Sequence, residues 1–123
     1  MFEQKERELL NSPKVAWQDM SRLPKANGVY IIYLAEQILY IGESKNIWDR
    51  FWKHHRTGNA SSFRSNMYKA NVDSAILQNC TIQYVQLLYG RKELEEYLIE
   101  KYKPVFNKVG NVRNQTSERK IFI

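Results

Sequence analysis

The stretch GVYIIYLAEQILYIGESKNIWDRFWKHH, residues Gly28 to His55, decides how this chain is read. Gly28 to Leu34 and Ile38 to Ile41 are rich in β-branched and tyrosyl residues, with only Ala35, Glu36 and Gln37 between them, so they read as a β-hairpin. With that loop in simple register, Leu34 faces Ile38, Ile32 faces Tyr40 and Tyr30 faces Gly42. Opposed residues share a face of the sheet, so Tyr30 and Tyr40 point the same way, and the absent side chain of Gly42 leaves room beside the Tyr30 ring. A loop one residue longer or shorter puts the two phenols on opposite faces.

A helix follows the glycine. Asn46 is a good N-cap, Asp49 suits the positive end of the helix dipole, and Ile47 and Phe51 are spaced to face a core. Arg50 and His54 stand four apart and project from one face, one turn apart, whereas His55 points about 100° away. Two phenols, a guanidinium and an imidazole beside a glycine suit the handling of a phosphate.

These residues carry a family resemblance. GVY, then LYIG with its tyrosine ten residues after that of GVY, then NI one residue before DR, and a histidine four beyond the arginine, resemble the GIY-YIG nuclease family. Leu94 to Asn107, LEEYLIEKYKPVFN, is similar to the family's glutamate helix with its Pro-x-x-Asn ending. The resemblance covers residues 28–107. It implies a metal-dependent endonuclease that hydrolyses phosphodiester bonds of DNA with one divalent ion, Mg²⁺ or Mn²⁺, and a tyrosine-assisted water. Glu95 would bind the metal, Tyr30 would take a proton from the attacking water, Tyr40 would orient water or phosphate, Arg50 would hold the scissile phosphate, and His54 would be the relay partner of Tyr30. One departure stands out: many members carry a lysine directly after the YIG glycine, where this chain has Glu43, and the nearest cation is Lys45. That departure supports the alternative of a catalytically weak or inactive nucleic-acid-binding module on the same fold.

Read from the residues alone, the same positions have plainer uses. Tyr30 and Tyr40 also read as strand tyrosines with a wet hydroxyl, and a phenol with a pKa near 10 is a poor base at neutral pH unless cations stabilise the phenolate. Glu95 shares a stripe with Leu98, Ile99 and Tyr102, which sets a carboxylate at the edge of a core and requires a cation, either an arginine or a metal ion. Gly42 reads as space for backbone or substrate approach, and Asn107 as a residue that fixes the loop after the last helix. Trp48, Trp52, Phe63 and Tyr68 are interleaved with Arg50, Lys53, Arg56, Arg64 and Lys69, a pattern that serves a nucleic-acid groove or a half-buried face equally well. Gly42, Lys45, Trp52, Lys53, Arg56, Arg64, Lys69 and Asn107 are the candidate nucleic-acid contacts, and Trp52 is expected to be more exposed than Phe51.

The rest of the chain frames this centre. Glu3 to Leu10 has helical composition, and Val15 to Asn27 carries Trp17, Met20 and Leu23 at three-residue spacing, an apolar face for packing beneath the hairpin. Phe63 to Ala70 reads as a short helix, Thr81 to Leu88 as the third strand, and Arg91 to Lys103 as the last helix, stopped by Pro104. The expected class is α+β: a small three-stranded, mostly antiparallel sheet flanked by helices, in the order β-β-α-α-β-α after an N-terminal helical extension. Residues 1–27 form that extension, 28–107 the nuclease-like domain, and 108–123 a polar tail whose apolar end, Ile121 to Ile123, either frays or docks on the sheet.

Composition sets the outer bounds. At 123 residues the chain is one domain. Nineteen Lys plus Arg against thirteen Asp plus Glu give a net charge of +6, which favours a polyanionic partner. No apolar run reaches the roughly 20 residues that span a bilayer, and the N-terminus lacks the apolar segment of a signal peptide, so a cytoplasmic protein is expected. The lone Cys80 permits no internal disulfide and reads as a buried residue. Two adjacent histidines provide no zinc cage, no Ser, His and Asp set has motif context, and the acidic pairs of a two-metal site are missing from the hairpin. Site specificity is left to a homodimer, to the loop Thr57 to Ser62, or to an accessory specificity protein.

Overall fold

The computed structural model describes residues 2–107. The tail from 108 onward, including the expected apolar end, lies outside the described residues. In chain order the elements are α1 (Phe2–Asn11), β1 (Val15–Ala16), a 3₁₀ turn (Trp17–Arg22), β2 (Gly28–Leu34), β3 (Gln37–Ser44), α2 (Ile47–Asp49) running directly into a π-helical segment (Arg50–His55), α3 (Ser62–Lys69), a second 3₁₀ turn (Ser74–Asn79), β4 (Cys80–Gln86) and α4 (Arg91–Tyr102). The strands form one antiparallel sheet in the order β1-β4-β2-β3. It has four strands, not the expected three. The extra one is Val15 and Ala16, which pair with Ile82 and Thr81, so the N-terminal segment joins the sheet as well as packing on it.

All seven residues of β2 are buried, because both faces of this inner strand are covered. Tyr30, Ile32 and Leu34 face one core with Trp17, Phe51, Phe63 and Phe106, while Val29, Ile31 and Tyr33 face a second core with Leu9, Leu94 and Leu98. A strand buried on both sides shows no polar alternation, and GVYIIYL has none. Across the second core, α1 is tied to α4 by Glu6, which accepts hydrogen bonds from Tyr97, Lys101 and Tyr102.

The hairpin reaches the expected register by a different route. Its loop is two residues, Ala35 and Glu36, so Leu34 pairs with Gln37 and Tyr33 with Ile38, not Leu34 with Ile38. A β-bulge then takes up Leu39, and from there Ile32 faces Tyr40 and Tyr30 faces Gly42. The short loop shifts every side chain by one place and the bulge shifts them back, leaving Tyr30 and Tyr40 on one face with ring centroids 6.3 Å apart. The left-handed φ of 53° at Ala35 is the backbone cost of that tight loop.

The outer edge of β3 is closed by the segment after α4. Lys103, with a φ of 46°, turns the chain back, and Phe106 N–H then donates to the Leu39 carbonyl at 2.8 Å. The Asn107 amide next pairs with both backbone groups of Ile41, accepting from its N–H at 2.9 Å and donating to its carbonyl at 2.7 Å. The side chain acts as one more rung of the ladder.

Candidate active site

The helix that follows β3 starts as the sequence suggests. Asn46 Oδ1 accepts from the Asp49 N–H at 2.9 Å, and the free amides of Ile47 and Trp48 donate to the carbonyls of Ala26 and Pro24. Beyond Asp49 the ladder widens: the Arg56 N–H donates to the carbonyl of Phe51, five residues back, at 2.9 Å. A π-turn holds one residue more than an α-turn, so directions counted at 100° per residue fail here.

The consequence is a change of histidine. His55, not His54, turns into the core, with 1% of its surface exposed, and its Nε2 lies 2.6 Å from the Tyr30 hydroxyl. Its Nδ1 lies 2.9 Å from Ser61 Oγ, which also accepts the Arg64 N–H at 3.2 Å as the N-cap of α3. The assignment of His54 as the partner of Tyr30 is therefore corrected. His54 is exposed and lines an open cleft with Arg50, Lys45, Glu43, Arg91 and Lys92. Adjacent histidines were the only sign of this in the sequence; Ser61 gave none.

Tyr30, Phe51 and Phe63 surround the His55 ring at centroid distances of 5.6, 5.0 and 5.5 Å. Loss of water, followed by the nearby charges of Arg50, His54 and Arg64, pushes the imidazole down to about 3, so it is neutral at physiological pH. Burial, and then the neighbouring Tyr40, drives the Tyr30 phenol well above its usual range, with Arg50 pulling the other way. Tyr30 is 1% exposed, so it presents no surface to an attacking water. Tyr40 is only partly buried and is the phenol with open surface. It is raised too, by burial and then by Glu95, against Arg50 and a hydrogen bond to Ser62.

The space beside Gly42 is already filled. A Cβ there would fall inside the contact distance of the Tyr30 hydroxyl and ring, so this glycine admits the phenol, not a ligand. That corrects its reading as a nucleic-acid contact.

Glu95, on α4, is half-buried. Loss of water, then repulsion from Glu43 and Glu96, raises its carboxyl to about 7, with Lys92 and a hydrogen bond from the Glu43 backbone opposing. Among the described residues it has no ion pair. Nor do three or more His, Cys, Asp and Glu side chains gather into a metal cage among those residues. A single half-buried carboxylate within the electrostatic reach of Tyr40 fits Mg²⁺ or Mn²⁺, which keep several waters and take phosphate oxygens. Glu43 is held by Arg91 at 3.0 Å, and Arg91 also donates to Asn27 Oδ1 at 3.4 Å. The corner that lacks a lysine at residue 43 thus receives a guanidinium from the start of α4, a cation that sequence reasoning passed over.

The remaining candidates divide by how they are engaged. Arg64 donates to the carbonyls of His55 and Arg56 and closes the π-helical segment, so its guanidinium is committed to structure. Lys53 pairs with Asp49 at 3.0 Å. Lys45 and Lys69 are exposed, the first in the cleft and the second on α3. Trp52 is half-buried beside a fully buried Phe51, and Arg56 lies over its ring at 4.1 Å. Asn107 is spent on the β3 edge. Cys80 is buried, and loss of water pushes its thiol up to about 12, which makes it inert.

This is an α+β domain with an antiparallel sheet flanked by helices, in which Tyr30 and Tyr40 share one face of the sheet. The GIY-YIG catalytic domain model matches residues 26–109, and the chain belongs to that family. No curated protein sequence matches it. Among solved structures, the GIY-YIG N-terminal endonuclease domain of UvrC from Thermotoga maritima, bound to its catalytic magnesium, superposes with a TM-score of 0.56 at 20% identity, covering 74% of this chain and 93% of that one. A point mutant of that domain, bound to its catalytic divalent cation, gives 0.53 at 20% identity over 74% and 92%. At such identity these likenesses concern the fold. Among the described residues no helix is long and apolar enough to cross a membrane.

Proposed function

We infer that this chain is a divalent-metal-dependent endonuclease that hydrolyses phosphodiester bonds of DNA. The observation that carries the reading is the match of residues 26–109 to the GIY-YIG catalytic domain; the shared face of Tyr30 and Tyr40, with Glu95 and Arg50 near enough to act on both phenols in opposite directions, supports it. Mg²⁺ or Mn²⁺ bound at Glu95 would supply Lewis acidity to a phosphate oxygen and lower the pKa of a bound water. Arg50, which has no carboxylate partner among the described residues, holds the scissile phosphate and offsets the charge that builds on it. His54 and Lys45 line the same cleft and add donors. Tyr40 meets the water or phosphate. Tyr30 lies deeper: its phenol, raised by burial, keeps its proton in the hydrogen bond to Nε2 of the neutral His55, so it serves to position the His55 ring and the sheet face on which Tyr40 stands.

Nicking of supercoiled plasmid at low salt tests this, with Mg²⁺, Mn²⁺ or EDTA, for wild type and the variants Glu95→Ala, Arg50→Ala, Tyr40→Phe and Tyr30→Phe. The expected result is metal-dependent nicking lost in Glu95→Ala and Arg50→Ala and lowered by Tyr40→Phe at least as much as by Tyr30→Phe. The second reading, a non-catalytic nucleic-acid-binding module, is favoured by one observation, the carboxylate of Glu43 beside Glu95. Salt-sensitive DNA binding without nicking by wild type would select it and refute the first.

A further inference from the structure

Along the outer surface of the helix, Trp48, Trp52 and Arg56 stand at successive four-residue steps. The two indoles are stacked, with centroids 5.9 Å apart and planes 18° from parallel. Arg56 covers the free face of Trp52 at 4.1 Å, and its Nε donates to the Trp52 carbonyl at 3.0 Å. At the other end Lys25 lies over Trp48, 4.7 Å from the ring centre. That placement is built in: the Trp48 and Ile47 amides bind the carbonyls of Pro24 and Ala26, on either side of Lys25. The result is a continuous row of cation, indole, indole, cation.

What holds these two cations matters. A lysine or arginine seated on a carboxylate is neutralised by it, as Lys53 is by Asp49 in the same helix. Lys25 and Arg56 are seated on aromatic faces and, among the described residues, meet no carboxylate. The ring quadrupole fixes the position of the charge and leaves its outward donors unspent. The row runs along the helix that also carries Arg50 and His54, the cleft residues. It therefore offers two fixed, uncompensated positive charges on the helix that bears Arg50, on the side turned about 200° from that residue, in a chain with a net charge of +6.

We propose that the row Lys25–Trp48–Trp52–Arg56 is a docking rail for the sugar-phosphate backbone of a nucleic-acid substrate as it runs past this side of the helix, with Lys25 and Arg56 each meeting one phosphate and the indoles acting as their spacer. This rests on the nuclease reading above. The occupant is backbone and not bases because no indole face is open: the inner faces cover each other and the outer faces carry the cations. Contacts of this kind position a substrate without reading its sequence.

The test is binding of a fluorescently labelled DNA duplex by anisotropy in EDTA, so that no turnover occurs, over a series of salt concentrations. Each phosphate contact contributes a slope of roughly 0.9 in log K against log salt. Lys25→Gln/Arg56→Gln is expected to lower the slope by about 1.8 and to weaken binding equally on unrelated sequences. Lys5→Gln/Lys103→Gln removes the same charge from a different part of the surface and is expected to leave the slope at the wild-type value. Trp48→Leu/Trp52→Leu keeps both charges but removes their seats, and is expected to weaken binding and to lower the slope in the same direction as the glutamine pair. An unchanged slope in Lys25→Gln/Arg56→Gln, or an equal fall in the control pair, would overturn the rail. So would a loss in the tryptophan variant that leaves the salt slope intact, since that is the mark of base stacking. Plasmid nicking by wild type alongside an unaffected Lys25→Gln/Arg56→Gln rejects the rail alone, whereas wild type that binds with the expected slope but never nicks rejects the nuclease reading alone.

Discussion

Replacing Glu95 by Gln should stabilise the metal-free protein at pH 8 and have almost no effect at pH 5. The carboxyl rises from 4.5 to about 7 on folding, chiefly because it leaves water. A raised carboxyl pKa means that the folded state binds the proton more tightly than the unfolded one. Stability from this group is therefore complete below 4.5, falls as pH climbs towards 7, and is gone above it. At about 1.4 kcal/mol per tenfold change, the full cost of ionising Glu95 in the fold is about 3.5 kcal/mol, and solvent screening of a half-open group reduces that to about 1–2 kcal/mol. Gln resembles the protonated acid and escapes the cost at every pH. In thermal unfolding with EDTA the variant should melt higher than wild type by several degrees at pH 8, with the gap closing by pH 5. Excess Mg²⁺ at pH 8 should raise wild type and leave the variant where it was. A variant that melts lower than wild type at pH 8, or by an equal amount at both pH values, would refute the argument, for Glu95 would then be a structural partner and not a strained, unpaired ligand.

Three other outcomes follow from the same geometry. His55 is held near 3 when folded against 6.5 unfolded, so the unfolded chain gains the proton first, and the contribution of this group to stability should fall by up to about 1.4 kcal/mol for each pH unit from 6.5 down to about 3, against the smaller opposite trend from Glu95 above 4.5; the difference between wild type and His55→Phe in urea titrations should show that slope. Gly42→Ala forces the Tyr30 phenol aside and should cost about 1–3 kcal/mol, a cost that a double-mutant cycle should find largely absent in a Tyr30→Ala background. Gln83 is buried, donates to the carbonyls of Leu10 and Ser12, and accepts from the Tyr33 hydroxyl. Gln83→Leu should cost about 2–3 kcal/mol by chemical denaturation, and unchanged stability would show that water replaces all three bonds.

The hairpin was legible because its signal is local: β-branched and tyrosyl runs with few residues between them fix which strands pair. Even there the two phenols reached one face through two opposite shifts, a shorter loop and a bulge at Leu39, and no residue type announces a bulge. Strand β1 escaped notice because two residues carry no periodicity, and their partners, Ile82 and Thr81, lie far along the chain. His55 escaped for a different reason. Counting at 3.6 residues per turn selects His54, and the choice of histidine reverses within a single π-turn that the sequence does not mark. Glu95 was singled out by its place on an apolar stripe together with the family resemblance; Arg91 was not, because its partners, Glu43 and Asn27, come from elements distant in sequence.

The Asn107 side chain closes the edge of β3, and in doing so it turns the Ile41 amide into a gauge of the site. Ile41 follows Tyr40 directly, and its N–H hydrogen is held by a residue twelve positions beyond Glu95. For that proton to exchange with solvent, the strand bearing one half of the site and the segment trailing the other half must part. Hydrogen exchange at this one position therefore reports how often the carboxylate and the phenol lose their fixed separation, without substrate, metal or turnover. Asn107→Ala should speed exchange at Ile41 far more than at Ile31, which lies on the buried inner strand and is shielded from both sides.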